Sequence, residues 1–309
     1  AYKLGRWDGC VGFFTMGGAT FVNCLPHILP VLEEEGYHID IEDSRESHDF
    51  KFDLVTEDLF HSRTWPARHP SAGEPIVLRD YQVEVINQFL QTPHCLQEIA
   101  TGAGKTLITA ALSYMCEPYG RTIVIVPNKD LVTQTETDYI NLGLDVGVYY
   151  GDRKELGKTH TICTWQSLNV LEKRFRDGLS DNGLHDFAEG VVCVMVDEVH
   201  QAKADVLKKL LTGPFANVPI RWGLTGTIPK ADHERLSLEI SLGEVVNALS
   251  AHELQDMGVL ANCDVNVIQL QENVSYRDYQ SELTYLTTNK ERLDYMSTII
   301  KRFSESGNT

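Results

Sequence analysis

The chain has 309 residues, 42% of them hydrophobic and 23% charged, an ordinary globular composition with length enough for one large or two medium domains. Its formal net charge of -17 argues against a broad surface for polyanions, but leaves room for a groove lined by backbone amides and a few Lys or Arg side chains. Seven scattered Cys without a Cys-x-x-Cys pair suggest neither a zinc site nor a disulfide framework. The apolar run 191–196 is far short of the roughly 20 residues of a membrane span, and no basic-then-apolar leader opens the chain. The expectation is a soluble, cytoplasmic chain without a membrane partner.

Residues 11–15 and 19–22 are separated by Met16, Gly17 and Gly18, the signal of a hairpin with glycines at the turn. Leu25, Ile28, Leu29 and Leu32 fall at helical spacing over 25–35, Gly36 closes that helix, and a third strand is expected over 37–41. These elements predict a small β-β-α-β unit within an N-terminal α+β domain and linker over 1–75. Because the chain starts at Ala1, within what reads as a strand entry, the unit is expected to be incomplete at its front edge. The stretch 42–75 turns polar, with Pro66, Pro70 and Pro75, and reads as a connection with one short strand over 52–55.

Beyond it the pattern changes. A helix over 79–90 precedes apolar strands over 95–99, 122–126, 144–149, 161–163, 191–196 and 221–224, with helices between them. Near-continuous apolar strands alternating with helices predict an α/β fold, a parallel sheet covered on both faces, with ligands at the carboxyl ends of its strands. A connecting strand over 263–270 and helices over 276–303 follow.

The segment 99–106, Ile-Ala-Thr-Gly-Ala-Gly-Lys-Thr, lies between a strand and a helix start and reads as a phosphate cradle. Thr101, Gly102, Ala103 and Gly104 form the loop, whose glycines let backbone N–H groups approach an anion. Lys105 can reach outer phosphates, and the Thr106 hydroxyl can ligate Mg2+. The general pattern would place Gly at position 99, where this chain has Ile99. Asp197 and Glu198 follow the strand over 191–196, so their carboxylates emerge on the same sheet edge. Asp197 is placed to hold Mg2+ and Glu198 to orient an attacking water. Upstream, the Gln82 amide can read an adenine edge and the Arg79 guanidinium can stack on a base, favouring ATP. A guanine-reading Asn-Lys-x-Asp motif is not matched by Asn128-Lys129-Asp130, which lacks the spacer residue.

Together these segments resemble the motor core of superfamily 2 helicases and translocases, whose phosphate loop often lacks the first Gly. Residues 78–82 resemble the Q motif, 100–106 motif I, 123–134 motif Ia, 164–168 a later DNA-tracking motif, 197–200 motif II in its Asp-Glu-x-His form, and 224–227 motif III. The resemblance implies a RecA-like first lobe over 76–270 and a helical connection over 271–309 toward a second lobe not contained in the chain. It implies ATP and Mg2+ as cofactors, with Lys105, Asp197, Glu198, His200, Thr225 and Thr227 as catalytic residues. Thr225 and Thr227 would bond back to the acidic motif, and His200 would bridge toward the phosphates. Pro127, Asn128, Lys129, Thr164, Trp165 and Gln166 would contact DNA, single-stranded or branched. For Lys129 a solvated position, and for Trp165 core packing, stands equally open. The opening residues 2–9, the hairpin signal and the helix 25–36 resemble UvsW-like phage recombination helicases, which implies branch migration, fork regression and a place in the host cytoplasm. The alternatives are the motor of a restriction or remodelling translocase on duplex DNA and a non-catalytic nucleic-acid-binding module, with RNA as a further possible partner. A chain without the second lobe is expected to have little activity alone.

Overall fold

A computed structural model describes residues 12–201, 204–262, 267–270 and 275–305, with Ala204 and Asp205 described through the backbone alone. By contacts the chain divides into two compact units, Ala1–Ala261 and Asn262–Thr309, whereas the sequence reading draws its boundaries at 75 and 270.

The first unit begins with helix α1 (Leu25–Glu34) and continues through α2 (Asp80–Gln91), β1 (His94–Ile99), α3 (Lys105–Cys116), β2 (Arg121–Val126) and α4 (Lys129–Asn141). Then come β3 (Val146–Tyr150), β4 (Arg153–Lys154), β5 (His160–Thr164), α5 (Trp165–Arg176), α6 (Leu184–Phe187) and β6 (Val191–Asp197). It ends with α7 (Ala204–Leu211), β7 (Ile220–Thr225), α8 (Asp232–Leu242), β8 (Glu244–Leu249) and α9 (Ala251–Asp256). The eight strands form one sheet in the order β4-β3-β5-β2-β6-β7-β1-β8, parallel except for the β3–β4 pair. This is the expected α/β, RecA-like sheet.

Central strands buried on both faces explain the continuous apolar runs: every residue of β5 and β7 is buried, and all but the first of β2. One face packs under α2, α3 and α4, where Trp222 meets Phe89 at 5.7 Å between ring centroids. The other packs under α5, α7 and α8, through Leu168, Leu207, Phe215 and Leu238. Edge strand β8 alternates in exposure and carries Glu244 and Asn247, a pattern too polar to stand out in the sequence. Among the described residues no helix is long and apolar enough to cross a membrane.

The small β-β-α-β unit is not formed by residues 12–41. The hairpin reduces to one antiparallel bridge between Phe14 and Thr20, closed by Thr15 N–H donating to Ala19 O at 2.9 Å, and residues 37–41 form no strand. Among the described residues the alternating side chains there have no neighbouring strand to pair with, and Tyr37 and Ile41 stand exposed. Residues 52–55 are likewise outside any strand, because side chains satisfy the backbone nearby. Asn87 exchanges two hydrogen bonds with the main chain of Val55 at 2.8 and 2.9 Å, and the Tyr119 hydroxyl exchanges two with that of Lys51. Residues 1–11 lie outside the described residues.

In the second unit α10 (Tyr279–Thr288) and α11 (Lys290–Glu305) occupy the expected helical stretch. Residues 267–270 form no strand, and 263–266 of that expected strand lie outside the described residues.

Candidate active site

The loop after β1 turns into α3 through two left-handed glycines, Gly102 at φ 89° and Gly104 at φ 80°. A Cβ would place each in collision: at Gly104 it would lie 2.6 Å from Gln82 Nε2, and at Gly102 2.6 Å from Leu260 Cδ2. Thr101, Gly102 and Gly104 are exposed, Ala103 and Lys105 buried, Thr106 half-buried. The first-turn N–H groups of α3 have no intrahelical acceptor, which makes this turn a ready anion cradle.

Strands β6, β7 and β1 are neighbours, so the residues that end them share one edge. Across it Lys105 Nζ pairs with Glu198 Oε1 at 2.8 Å and also donates to Ile99 O at 3.3 Å. Glu198 has φ 50°, the single positive φ outside glycine among the described residues, a strained backbone at the acidic strand end. Its Oε2 is buried and makes no hydrogen bond, with His200 Nδ1 3.4 Å away. Burial pushes the Asp197 carboxyl up to about 6, and the Glu198 charge adds to this; Lys105 opposes it, as does the Glu198 N–H that Asp197 Oδ1 accepts at 2.9 Å. The Asp197 carboxylate and Thr106 hydroxyl are hard oxygen donors of the kind Mg2+ takes.

Thr225 Oγ1 donates to Thr227 O at 2.9 Å, so the contact of 2.8 Å with His200 requires His200 Nδ1 to be the donor, which fixes that tautomer. Thr225 thus bonds back to the acidic segment as expected. Thr227 takes part through its main chain instead, its N–H donating to Thr225 Oγ1 at 3.3 Å. Gly226 brings this segment onto the phosphate loop, since a Cβ there would lie 3.2 Å from Thr101 Oγ1.

Gln82 is buried against the same loop. Its Nε2 donates to Ala103 O at 3.0 Å and its Oε1 accepts from Arg79 N–H at 3.0 Å. Tyr81, which the sequence reading passed over, donates its hydroxyl to the same Ala103 carbonyl at 2.9 Å and accepts from Arg79 Nη1 at 3.1 Å. Leu260, 2.6 Å from the Cβ position of Gly102, is a second omission. Tyr81 sits within the quoted 78–82 segment and could have been found there; nothing local marks Leu260.

The loops after β2 and β5 leave the same edge beside β6. Gln166 Nε2 donates to Pro127 O at 3.2 Å, which brings the two expected nucleic-acid segments together. Asn128 Oδ1 caps α4 by accepting from Asp130 and Leu131 N–H at 3.1 and 3.0 Å, and Thr164 Oγ1 caps α5 by accepting from Ser167 N–H at 3.3 Å. Asn128, Lys129 and Gln166 are exposed, Pro127 and Thr164 buried. Trp165 is half-buried with an unpartnered, buried Nε1.

Comparison with known proteins bears on the family and the fold. The profile of the type III restriction enzyme res subunit matches residues 75–230. The DNA 3'-5' translocase XPB2 of Sulfurisphaera tokodaii is 28% identical over 190 residues, 60% of this chain and 38% of that protein. The ATP-dependent DNA helicase uvsW of Enterobacteria phage T4 is 23% identical over 224 residues, 67% of this chain and 42% of that protein. The crystal structure of the UvsW helicase from bacteriophage T4 shares the fold, with a TM-score of 0.60 at 20% identity over 80% of this chain and 85% of that chain. The chain spans about two fifths of the length of these two curated relatives. With the matched segment covering half of it, the chain belongs to the type III restriction enzyme res-subunit family and carries a RecA-like lobe of the fold seen in the UvsW structure.

Proposed function

We propose that this chain is the ATP-binding part of a DNA helicase or translocase that acts on branched DNA in recombination and repair, in the cytoplasm of a phage host. The observation that carries the reading is the exchangeable ion pair between Lys105 and Glu198, set beside Asp197 and a phosphate cradle. A nucleotide phosphate entering the cradle competes for Lys105. Its departure frees the Glu198 carboxylate, whose Oε2 makes no hydrogen bond, to hold the attacking water. Mg2+ supplies charge neutralisation on the phosphates when bound, with Thr106 and Asp197 as its protein ligands. His200, through Thr225, links the acidic segment to motif III. The 127–129 and 164–166 segments on adjoining strand ends support backbone contacts to one DNA strand, which position it without reading sequence.

Turnover is proposed to require a second RecA-like lobe that supplies an arginine finger, worth roughly 10^3 to 10^5 in rate. The test is DNA-stimulated ATP hydrolysis and unwinding of forked substrates by the chain continued through such a lobe, compared with this chain alone. No DNA stimulation of the longer protein would refute the reading. The res-subunit profile and the translocase named among its relatives favour a second reading, movement along duplex DNA without strand separation. Displacement of a triplex-forming strand from an unbranched duplex, without unwinding of forks, would select it.

A further inference from the structure

The amino-terminal ends of β1 and β7 border a cavity of about 1160 Å3, at the sheet edge opposite the phosphate loop. The length of β1, ~17 Å, separates the two. Arg221, the second residue of β7, lines the cavity and is buried, 5% exposed, without a carboxylate partner among the described residues. Its Nε donates to His94 Nε2 at 3.3 Å, and its Nη1 donates to Leu211 O and Ser241 O at 3.2 and 3.3 Å. Those carbonyls lie at the ends of α7 and α8, where helix dipoles favour a cation. Helix ends offer partial charges, however, and Arg221 Nη2 has no bond to a described residue.

Its surroundings keep the positive charge unanswered. Asn23 Nδ2 donates to Glu239 O and Ile240 O, so its Oδ1 accepts from His94 Nδ1, which leaves His94 Nε2 as an acceptor and the ring neutral. Burial first, then the charges of Arg221 and Arg45, hold His94 down to about 4. Arg45 lines the cavity, paired with Asp43 at 2.5 Å; Glu46 is the other acidic side chain of that rim. Along one wall the rings of His48, Phe50 and Phe52 form successive near-parallel stacks, with centroids 5.5 and 5.8 Å apart.

An unanswered guanidinium beside an aromatic stack is the chemistry that recognises a phosphate with a base attached. We propose that this cavity is a second nucleotide site, which takes a phosphate on Arg221 Nη2 and Arg45 and a base against the ring stack at His48. The nucleotide can be free or can be the 5′-terminal residue of a nucleic-acid strand, and the experiment separates the two.

Trp222 lines the cavity with its Nε1–H donated to Thr92 O at 2.8 Å, so its indole resonance reports occupancy of this edge. The chain is titrated with inorganic phosphate, dAMP, and thymidine oligomers with either a 5′-phosphate or a 5′-hydroxyl. Phosphate and dAMP are expected to shift the Trp222 resonance, dAMP about tenfold more tightly because its base stacks on the aromatic wall. A 5′-phosphate oligomer binding more tightly than dAMP, with its 5′-hydroxyl counterpart silent, assigns the site to strand ends. Equal binding of dAMP and the 5′-phosphate oligomer assigns it to nucleotides in general. Loss of Arg221 can disturb folding, so the exposed positions carry the test: Arg45→Ala should weaken every phosphate-bearing probe about tenfold, the loss of one charge-assisted contact, and His48→Ala should abolish the advantage of dAMP over phosphate. No shift with dAMP, a shift unaffected by both substitutions, or a shift that vanishes in Lys105→Ala, which would report the phosphate loop, overturns the proposal.

Discussion

The two edges of one sheet handle charge in opposite ways, although β1 and β7 supply residues to both. At the carboxyl edge Lys105 and Glu198 sit 2.8 Å apart as a pair that a ligand can part, with a strained Glu198 backbone and a second carboxylate oxygen that makes no hydrogen bond. At the amino edge Arg221 is held by two carbonyls and a neutral imidazole, and its partners have no charge to exchange. The first arrangement is built around partners that change. The second uses Nε and Nη1 to fix strand starts to helix ends and leaves Nη2 for the proposed phosphate.

Substitutions that remove charge should therefore cost rate at one edge and stability at the other. The largest effect is expected from Glu198→Gln in the protein continued through its second lobe: ATP binding is retained while hydrolysis falls about 10^3-fold. Turnover at the parent rate would sink the role of Glu198. In this chain, Lys105→Ala should abolish the rise in melting temperature that ATP produces. At the amino edge Arg221→Met keeps volume but strands two carbonyls and His94 Nε2, at a cost of about 2–4 kcal/mol in urea denaturation. Undiminished stability would show that those bonds are dispensable.

The pH dependence sharpens the contrast. His94 is depressed from 6.5 to about 4, so its contribution to stability is complete above pH 6.5 and drains away as pH falls toward 4, by at most about 3 kcal/mol. His94→Gln should flatten that slope in melts between these limits; an unchanged slope would assign it to other groups. Next, Gly104→Ala meets both a left-handed φ and Gln82 Nε2, and should cost about 1–2 kcal/mol in the same denaturation assay. The smallest change is expected for Gln82→Ala, a narrowed preference for ATP over GTP in competition binding. A constant ratio would confine Gln82 to bracing the loop through Ala103.

The strands over 122–126 and 191–196 are legible in the sequence because burial on both faces leaves no polar alternation to confuse the pattern. The loop and the acidic strand end were equally plain, since phosphate chemistry restricts which residues can stand there. Strand pairing at the N-terminus was misread because alternation reports a half-buried strand only where a neighbouring strand exists, and Phe14 and Thr20 make a single bridge. The contacts of His94 with Asn23 and Arg221 join positions far apart in sequence. No local pattern encodes them. Site residues with two uses were half legible: Asn128 and Thr164 cap the helices that begin beside them, which any capping residue does.

Leu260 lies against Gly102, and it is the penultimate residue of the first compact unit. The main-chain N–H groups of Val259 and Leu260 share one acceptor, Leu254 O, at 2.8 and 3.1 Å. The outgoing chain is therefore moored to the phosphate loop by an apolar side chain and held in place by one carbonyl. A phosphate that reshapes Gly102 slackens this mooring, and faster amide hydrogen exchange at Val259 and Leu260 on ATP binding would register the slack.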